Sequence, residues 1–183
     1  MILVFFIVFC TIVALGFGGA AAWSDCRRLI IPNIYTFCIG AAFVPAYLAV
    51  TFLAADGDYF FSWKSHLVAA LGMFVVTYLL FYFRLIGGGD SKLLSVYALW
   101  VGLAGLVPFL VMMSLMGGLL GIATLALRKW KPFKDPAKGS WIDKAQSGAQ
   151  EVPYGIAIFV GAVITFWQIG YLKLSELVAL AGV

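Results

Sequence analysis

The segment Leu-Ile-Gly-Gly-Gly-Asp-Ser-Lys-Leu-Leu at residues 85–94 lies between two long apolar segments of the chain. Its three glycines and its aspartate interrupt residues that otherwise suit the interior of a membrane. A bilayer core holds no water to satisfy an open backbone or an unpaired carboxylate. The segment is therefore predicted to separate two membrane spans, and Asp90 needs a chemical explanation.

The composition of the 183-residue chain is that of a multi-span membrane protein. The chain is 64% hydrophobic and only 11% charged, and its mean hydropathy is +1.06. These values lie outside the usual composition of a soluble domain. No linker or internal repeat divides the chain, so residues 1–183 are predicted to form a single domain. The net charge of +4 indicates membrane topology and contact with lipids rather than with nucleic acid.

The fold is predicted to be all-α, a polytopic membrane bundle of about six transmembrane helices. A polar loop at 54–65 separates the second and third spans, and the tail at 173–183 is left unassigned. Ala20-Ala21-Ala22 resembles a signal-peptidase site, but no basic residues precede the first apolar run, so this span is expected to be retained. The apolar segments are 2–22, about 34–53, about 66–83, 93–127 and 152–172.

The segment 93–127 is predicted to contain two spans. As a single helix, its 35 residues would extend about 52 Å, whereas the hydrocarbon core of a bilayer is about 30 Å thick. Gly102, Gly105 and Pro108 mark the expected break between the two spans.

The placement of charge supports six spans. Ten of the 12 basic residues fall in the loops after the first, third and fifth spans. By the positive-inside rule, these loops face the cytoplasm, including the long loop at about 128–151, and both termini lie outside. The ten residues are Arg27, Arg28, Arg84, Lys92, Arg128, Lys129, Lys131, Lys134, Lys138 and Lys144.

Asp25 and Asp90 are the two acidic residues that stand directly against apolar spans on the predicted cytoplasmic side. Two carboxylates in one partly buried pocket ionise in separate steps because their charges repel. One carboxylate then serves as a general base and the other as a general acid, a pairing that activates water against a peptide carbonyl. The glycines at 87–89 would let an extended substrate backbone approach closely.

Simpler explanations exist for each aspartate. Asp90 follows glycines and precedes an apolar helix, as a residue that caps a helix N-terminus often does. Asp25 lies near Arg27 and Arg28, so it can belong to an ordinary interfacial charge pair. At the level of function, the alternatives are a small proton- or cation-coupled transporter and a catalytically inert assembly subunit in which both aspartates are structural.

Three dispersed motifs resemble those of the type IV prepilin peptidases, a family of membrane aspartic proteases with a Gly-x-Gly-Asp motif. Gly87-Gly88-Gly89-Asp90 fits that motif, and Ser91-Lys92 continues it. Asp25 shortly before Ile31-Pro32-Asn33 is similar to the family's first aspartate with its Ile-Pro-Asn turn. Pro153-Tyr154-Gly155 matches a late Pro-aromatic-Gly element.

The resemblance implies an aspartic endopeptidase that cuts the basic cytoplasmic leader from pilin-like precursors at the inner face of the bacterial inner membrane. Asp25 and Asp90 would be the catalytic pair, without a metal or cofactor. Larger members carry an insertion with paired C-x-x-C motifs and methylate the new N-terminus. This chain lacks the insertion, so it is similar to the short form that serves tight-adherence (Flp-type) pili, and methyltransferase activity is not expected. The oligomeric state is left open. The residues expected to support substrate binding or the motifs are Gly87, Gly88, Gly89, Lys92, Pro32, Asn33, Pro153, Tyr154 and Gly155.

Three further features have more than one interpretation. His66, the single histidine, is either a catalyst or an interfacial residue, and its place at the outer end of the third span predicts an interfacial residue. Lys92 either tunes the aspartates or reaches toward lipid headgroups. The loop at 128–151 either receives the precursor or binds anionic lipid.

Overall fold

The computed structural model describes residues 2–53, 62–173, 175, 177 and 178, and these residues form helices and connecting turns without a strand. Most of the loop expected at 54–65 and most of the C-terminal tail lie outside the described residues. The helices are α1 (Ile2–Arg28), α2 (Asn33–Leu53), α3 (Trp63–Tyr82), α4 (Gly88–Trp130), α5 (Trp141–Gln146) and α6 (Tyr154–Gln168).

Helix α4 reverses its direction at Gly102. The backbone there leaves the helical region, with φ 60° and ψ −174°. The rings of Tyr97 and Phe109 lie 6.2 Å apart, although twelve residues of straight helix would separate them by about 18 Å. Helix α4 is therefore two packed arms, 88–101 and 103–130. The predicted break lies at Gly102, whereas Pro108 lies within the second arm.

At the reversal, α3 supplies hydrogen-bond partners for two backbone groups that a continuous helix would pair with each other. In a continuous helix, the carbonyl of Leu99 would accept from the N–H of Leu103. Here the N–H of Leu103 donates to Ser65 Oγ at 3.0 Å, and the carbonyl of Leu99 accepts from His66 Nδ1 at 2.8 Å. Two consecutive residues of α3 therefore stabilise the reversal, because a buried backbone group without a partner is costly.

The expectation that His66 is interfacial is wrong. Its side chain is only 1% exposed, and its ring lies 5.1 Å from the ring of Phe43. The histidine is buried because the reversal of α4 packs directly against the first turn of α3. His66 therefore has a structural role at the reversal.

We expect Gly102→Ala to lower the stability of the protein. A backbone with φ near 60° and extended ψ is almost restricted to glycine, and a Cβ at this position would lie 3.2 Å from the ring of His66. The cost is about 1–3 kcal/mol. Thermal unfolding in detergent measures it, with Gly72→Ala as the control because a Cβ there has no neighbour within 4 Å. Equal unfolding temperatures for the two variants would contradict this explanation of the reversal.

Helix α6 packs antiparallel to the second arm of α4. A Cβ at Gly161 would lie 2.9 Å from the backbone nitrogen of Met113, and a Cβ at Gly105 would lie 3.5 Å from the side chain of Thr165. Glycine at these positions therefore permits close helix contact. The beginning of α6 is thereby brought to the end of the bundle where α1 ends and α4 begins, which we call the aspartate end.

The bundle is that of a polytopic membrane protein. Four helices, α1 to α4, are long and apolar enough to cross a membrane, and α6 is a shorter apolar helix. With α4 counted as two arms, the described residues contain six apolar helical segments, as expected from the sequence. The predicted polar loop at 128–151 is partly helical, because α4 continues to Trp130 and α5 lies within it.

Candidate active site

Asp25 lies in the last turn of α1 and is buried, with 6% of its surface exposed. Its Oδ2 atom accepts a hydrogen bond of 2.8 Å from the backbone N–H of Gly155, 130 residues later in the chain. A Cβ at Gly155 would lie 2.9 Å from that oxygen. Glycine at this position therefore lets the first turn of α6 approach the carboxylate and fix its orientation.

Asp90 lies in the first turn of α4, for which Gly87 is the N-cap. Its carboxylate turns back toward that residue, and a Cβ at Gly87 would lie 2.8 Å from its Oδ2 atom. The explanation that Asp90 is the N-cap residue is therefore wrong, since Asp90 occupies the third position of the helix, from which an acidic side chain can reach back toward the N-cap. The position of Asp90 near the N-cap also leaves one of its two carboxylate oxygens without a partner in the described structure. In the described part of the chain, Oδ1 of Asp90 is buried and has no hydrogen-bond partner.

One cavity of about 540 Å³ joins the two aspartates at the aspartate end of the bundle. Asp25, Asp90, Gly87 and Tyr154 all line it. The topology brings the two carboxylates together because α2 leads the chain away from this end and α3 brings it back. A cavity of this volume, with charged and polar residues in its wall, has room for several water molecules.

The charge-pair explanation for Asp25 is wrong for the described residues. The guanidinium of Arg27 lies over the ring of Trp23, with Cζ 4.9 Å from its centroid. The ion pair found among the described residues joins Lys144 to Glu151. Asp25 is instead held by a backbone N–H.

The three motif glycines have different surroundings. Gly87 lines the cavity, where a Cβ would lie 2.8 Å from Oδ2 of Asp90. A Cβ at Gly88 would lie 3.2 Å from the ring of Phe81, and one at Gly89 would lie 2.9 Å from Cβ of Ile31. Gly88 and Gly89 thus permit close packing of α4, and of the three glycines only Gly87 lines the cavity.

The Ile-Pro-Asn turn is bonded to the Gly-x-Gly-Asp segment by a polar contact. Pro32 lies between α1 and α2, and Asn33 begins α2. Lys92 Nζ donates a hydrogen bond of 2.8 Å to Oδ1 of Asn33. Lys92 is therefore directed to α2 rather than to headgroups, and the contact connects the two segments that carry the aspartates.

The Pro-Tyr-Gly element forms the start of α6. Pro153 is the N-cap residue of that helix, which suits a residue that has no backbone N–H to satisfy. Tyr154 lines the cavity, and Gly155 bonds Asp25. All three motif segments thus meet at one place.

Three charged residues of the cavity wall were not singled out by the sequence analysis: Arg84, Lys144 and Glu151. Arg84 lies two residues after the end of α3 and has a positive φ of 59°, which the sequence does not reveal. Glu151 lies two residues before the Pro-Tyr-Gly element, and this short spacing indicates that Glu151 lies near the site. Nothing in the sequence marks Lys144 among the other basic residues of its loop.

A comparison with protein-family models matches residues 12–122 to the type IV leader peptidase family. The match spans more than half of the chain and contains both aspartates, whereas the Pro-Tyr-Gly element lies beyond it. Curated proteins and solved structures give no match. On the strength of the family model, this helical membrane protein belongs to the type IV leader peptidase family.

Proposed function

We propose that this leader peptidase is an aspartic endopeptidase in which Asp25 and Asp90 act together on water. The observation that carries the proposal is that both carboxylates line one cavity, although they come from different helices far apart in sequence. The buried Oδ1 of Asp90 has no hydrogen-bond partner among the described residues, so its capacity to accept a hydrogen bond is unused. The family assignment favours a peptidase over the transporter alternative.

The proposed reaction needs one proton shared between the two carboxylates. The ionised carboxylate removes a proton from water, and the water oxygen bonds to the scissile carbonyl carbon while the protonated carboxylate donates to the carbonyl oxygen. Collapse of the tetrahedral intermediate breaks the C–N bond as the departing amine takes a proton from one carboxyl group. A hydroxyl group of the intermediate gives its proton to the other carboxylate, which restores the single shared proton. The hydrogen bond from Gly155 to Asp25 keeps one carboxylate oriented throughout.

We propose that the cavity opens to the cytoplasm at the inner membrane. Basic residues concentrate at the aspartate end: Arg27 and Arg28 end α1, while Arg128 and Lys129 end α4. At the opposite end, Lys64 lies in the first turn of α3. This asymmetry fits the positive-inside rule, and the same basic residues would contact anionic lipid headgroups.

We propose precursors of Flp-type pilins as the substrates, and peptide cleavage without methylation as the activity. The family acts on prepilins in general. The support for the short form is the connection between α1 and α2, which consists of residues 29–32 only. Such a connection has no room for the C-x-x-C insertion that accompanies methylation in larger members.

Co-expression with an Flp-type pilin precursor tests this proposal. We expect the precursor to lose a basic leader, and mass measurement of the mature N-terminus should locate the cut and detect no added methyl group. A precursor that keeps its leader would overturn the substrate assignment. A cut that persists in both Asp25→Asn and Asp90→Asn would overturn the aspartic mechanism. An added methyl group would overturn only the proposal that the enzyme does not methylate the new N-terminus.

A further inference from the structure

The ion pair at the cavity is formed by residues from two different segments. Lys144 belongs to α5, and Glu151 belongs to the connection between α5 and α6. Their Nζ and Oε2 atoms lie 2.5 Å apart, and the side chains are 37% and 57% exposed. Both residues line the cavity that holds Asp25 and Asp90. Glu151 is therefore a third carboxylate at this cavity, and its carboxylate is paired with a lysine of the same chain.

Helix α5, which carries Lys144, is fixed to the bundle. Trp141 Nε1 donates to Thr124 Oγ1 at 2.9 Å, which fastens the start of α5 to the second arm of α4. Gln146 forms two hydrogen bonds with the backbone of Phe133, one in each direction. The loop is thus a folded cap, and Lys144 projects from it to the cavity wall.

Glu151 and Lys144 are carried by different parts of the chain. Glu151 lies two residues before the N-cap of α6, where Gly155 bonds Asp25. The backbone of Glu151 is therefore placed close to the proposed catalytic pair by the start of α6, whereas Lys144 is the hydrogen-bond partner of its side chain. Because exposed ion pairs contribute little net stability, the lysine can be exchanged for another cation at small cost.

We propose that Glu151 selects substrates by binding a lysine or arginine side chain near the scissile bond, and that Lys144 occupies Glu151 until the substrate displaces it. The ammonium group of Lys144 has the same chemistry as a substrate lysine, and it competes for the same carboxylate. Removing the carboxylate and removing the competitor must then change specificity in opposite directions. A merely structural ion pair would make the two changes act alike. The inference rests on the proposed peptidase function.

The test compares two synthetic pilin-precursor peptides, one with lysines in the leader and one with glutamines in their place. Full-length enzyme in detergent is assayed, and the quantity measured is the KM for the glutamine peptide divided by the KM for the lysine peptide. We expect Glu151→Gln to lower this ratio about two- to fivefold, the range for an exposed ion pair. We expect Lys144→Gln to raise it. Lys138→Gln is the matched control, because Lys138 is exposed in the same loop and should leave the ratio unchanged.

The outcomes separate this inference from the proposed function. A ratio that moves in the same direction in Glu151→Gln and Lys144→Gln, or in neither, would overturn the selection by Glu151 while the peptidase assignment stands. If the wild-type protein cuts neither peptide, or if cleavage survives both aspartate substitutions, the proposed function itself fails.

Discussion

Asp25→Asn and Asp90→Asn should each lower kcat for leader cleavage by about 10³-fold or more, the scale of losses when one member of a catalytic unit is removed. Asparagine keeps the size of the side chain and can still accept the hydrogen bond from Gly155. We therefore expect the fold and KM to change little. Only the ability to exchange a proton with water and with the departing amine is lost.

Purified variants assayed with a pilin-precursor peptide would provide the measurement. Asp135→Asn is the control, because Asp135 is an exposed acidic residue of the loop and does not line the cavity. Its kcat should equal that of the wild-type enzyme. Retention of more than a tenth of the wild-type kcat by either aspartate variant would contradict a catalytic role for that residue.

The Gly155→Ala variant should have the second largest effect. The added Cβ would lie 2.9 Å from Oδ2 of Asp25 and 3.0 Å from its Cβ, so α6 and the carboxylate must separate. We expect kcat/KM to fall by about 10- to 100-fold, because a displacement of about 1 Å at a reacting group has an effect of this size. The loss arises from position alone, since both aspartates remain.

Gly118→Ala provides the matched control for Gly155→Ala. A Cβ at Gly118 has no neighbour within 4 Å, so its kcat/KM should match the wild type. Its unfolding temperature should not fall, because alanine is more favourable than glycine inside a helix. Thermal unfolding of Gly155→Ala in detergent separates a local displacement from a loss of fold. Wild-type activity in this variant would mean that the contact between α6 and Asp25 does not position the carboxylate.

The sequence was sufficient to predict the number of apolar segments and the reversal within 93–127. Length alone requires the break, because one helix would exceed the bilayer. The choice among Gly102, Gly105 and Pro108 depends on partners from another helix, namely Ser65 and His66, and spacing along the chain does not reveal them. For the same reason, His66 was predicted to be interfacial although it is buried at the reversal.

Within the site, the sequence predicted which segments meet but not how they touch. Burial of Asp25 and its bond to Gly155 join residues 130 positions apart, and no periodicity encodes that contact. For Gly88 and Gly89, the sequence suggested that the missing side chains give access to a substrate. The structure shows instead that glycine at these positions allows close packing against Phe81 and Ile31. The bond between Lys92 and Asn33 likewise required the folded chain.

The loop at 128–151 contains a signal that was not used. Ser140 caps α5 by accepting from the N–H of Asp143, and a serine followed three residues later by an acidic residue is typical of a helix N-terminus. This pattern predicts α5. The placement of Lys144 over the cavity depends in addition on Trp141 and Thr124, whose contact is tertiary.

Whether Asp25 and Asp90 operate as one unit is decided by the double variant Asp25→Asn/Asp90→Asn, compared with each single variant in single-turnover cleavage of a pilin-precursor peptide. Losses from residues that act as a unit are strongly non-additive. We predict that the cleavage rate of the double variant is less than about tenfold below that of the slower single variant. A double variant whose loss equals the product of the two single losses would contradict a shared mechanism and assign the aspartates independent roles.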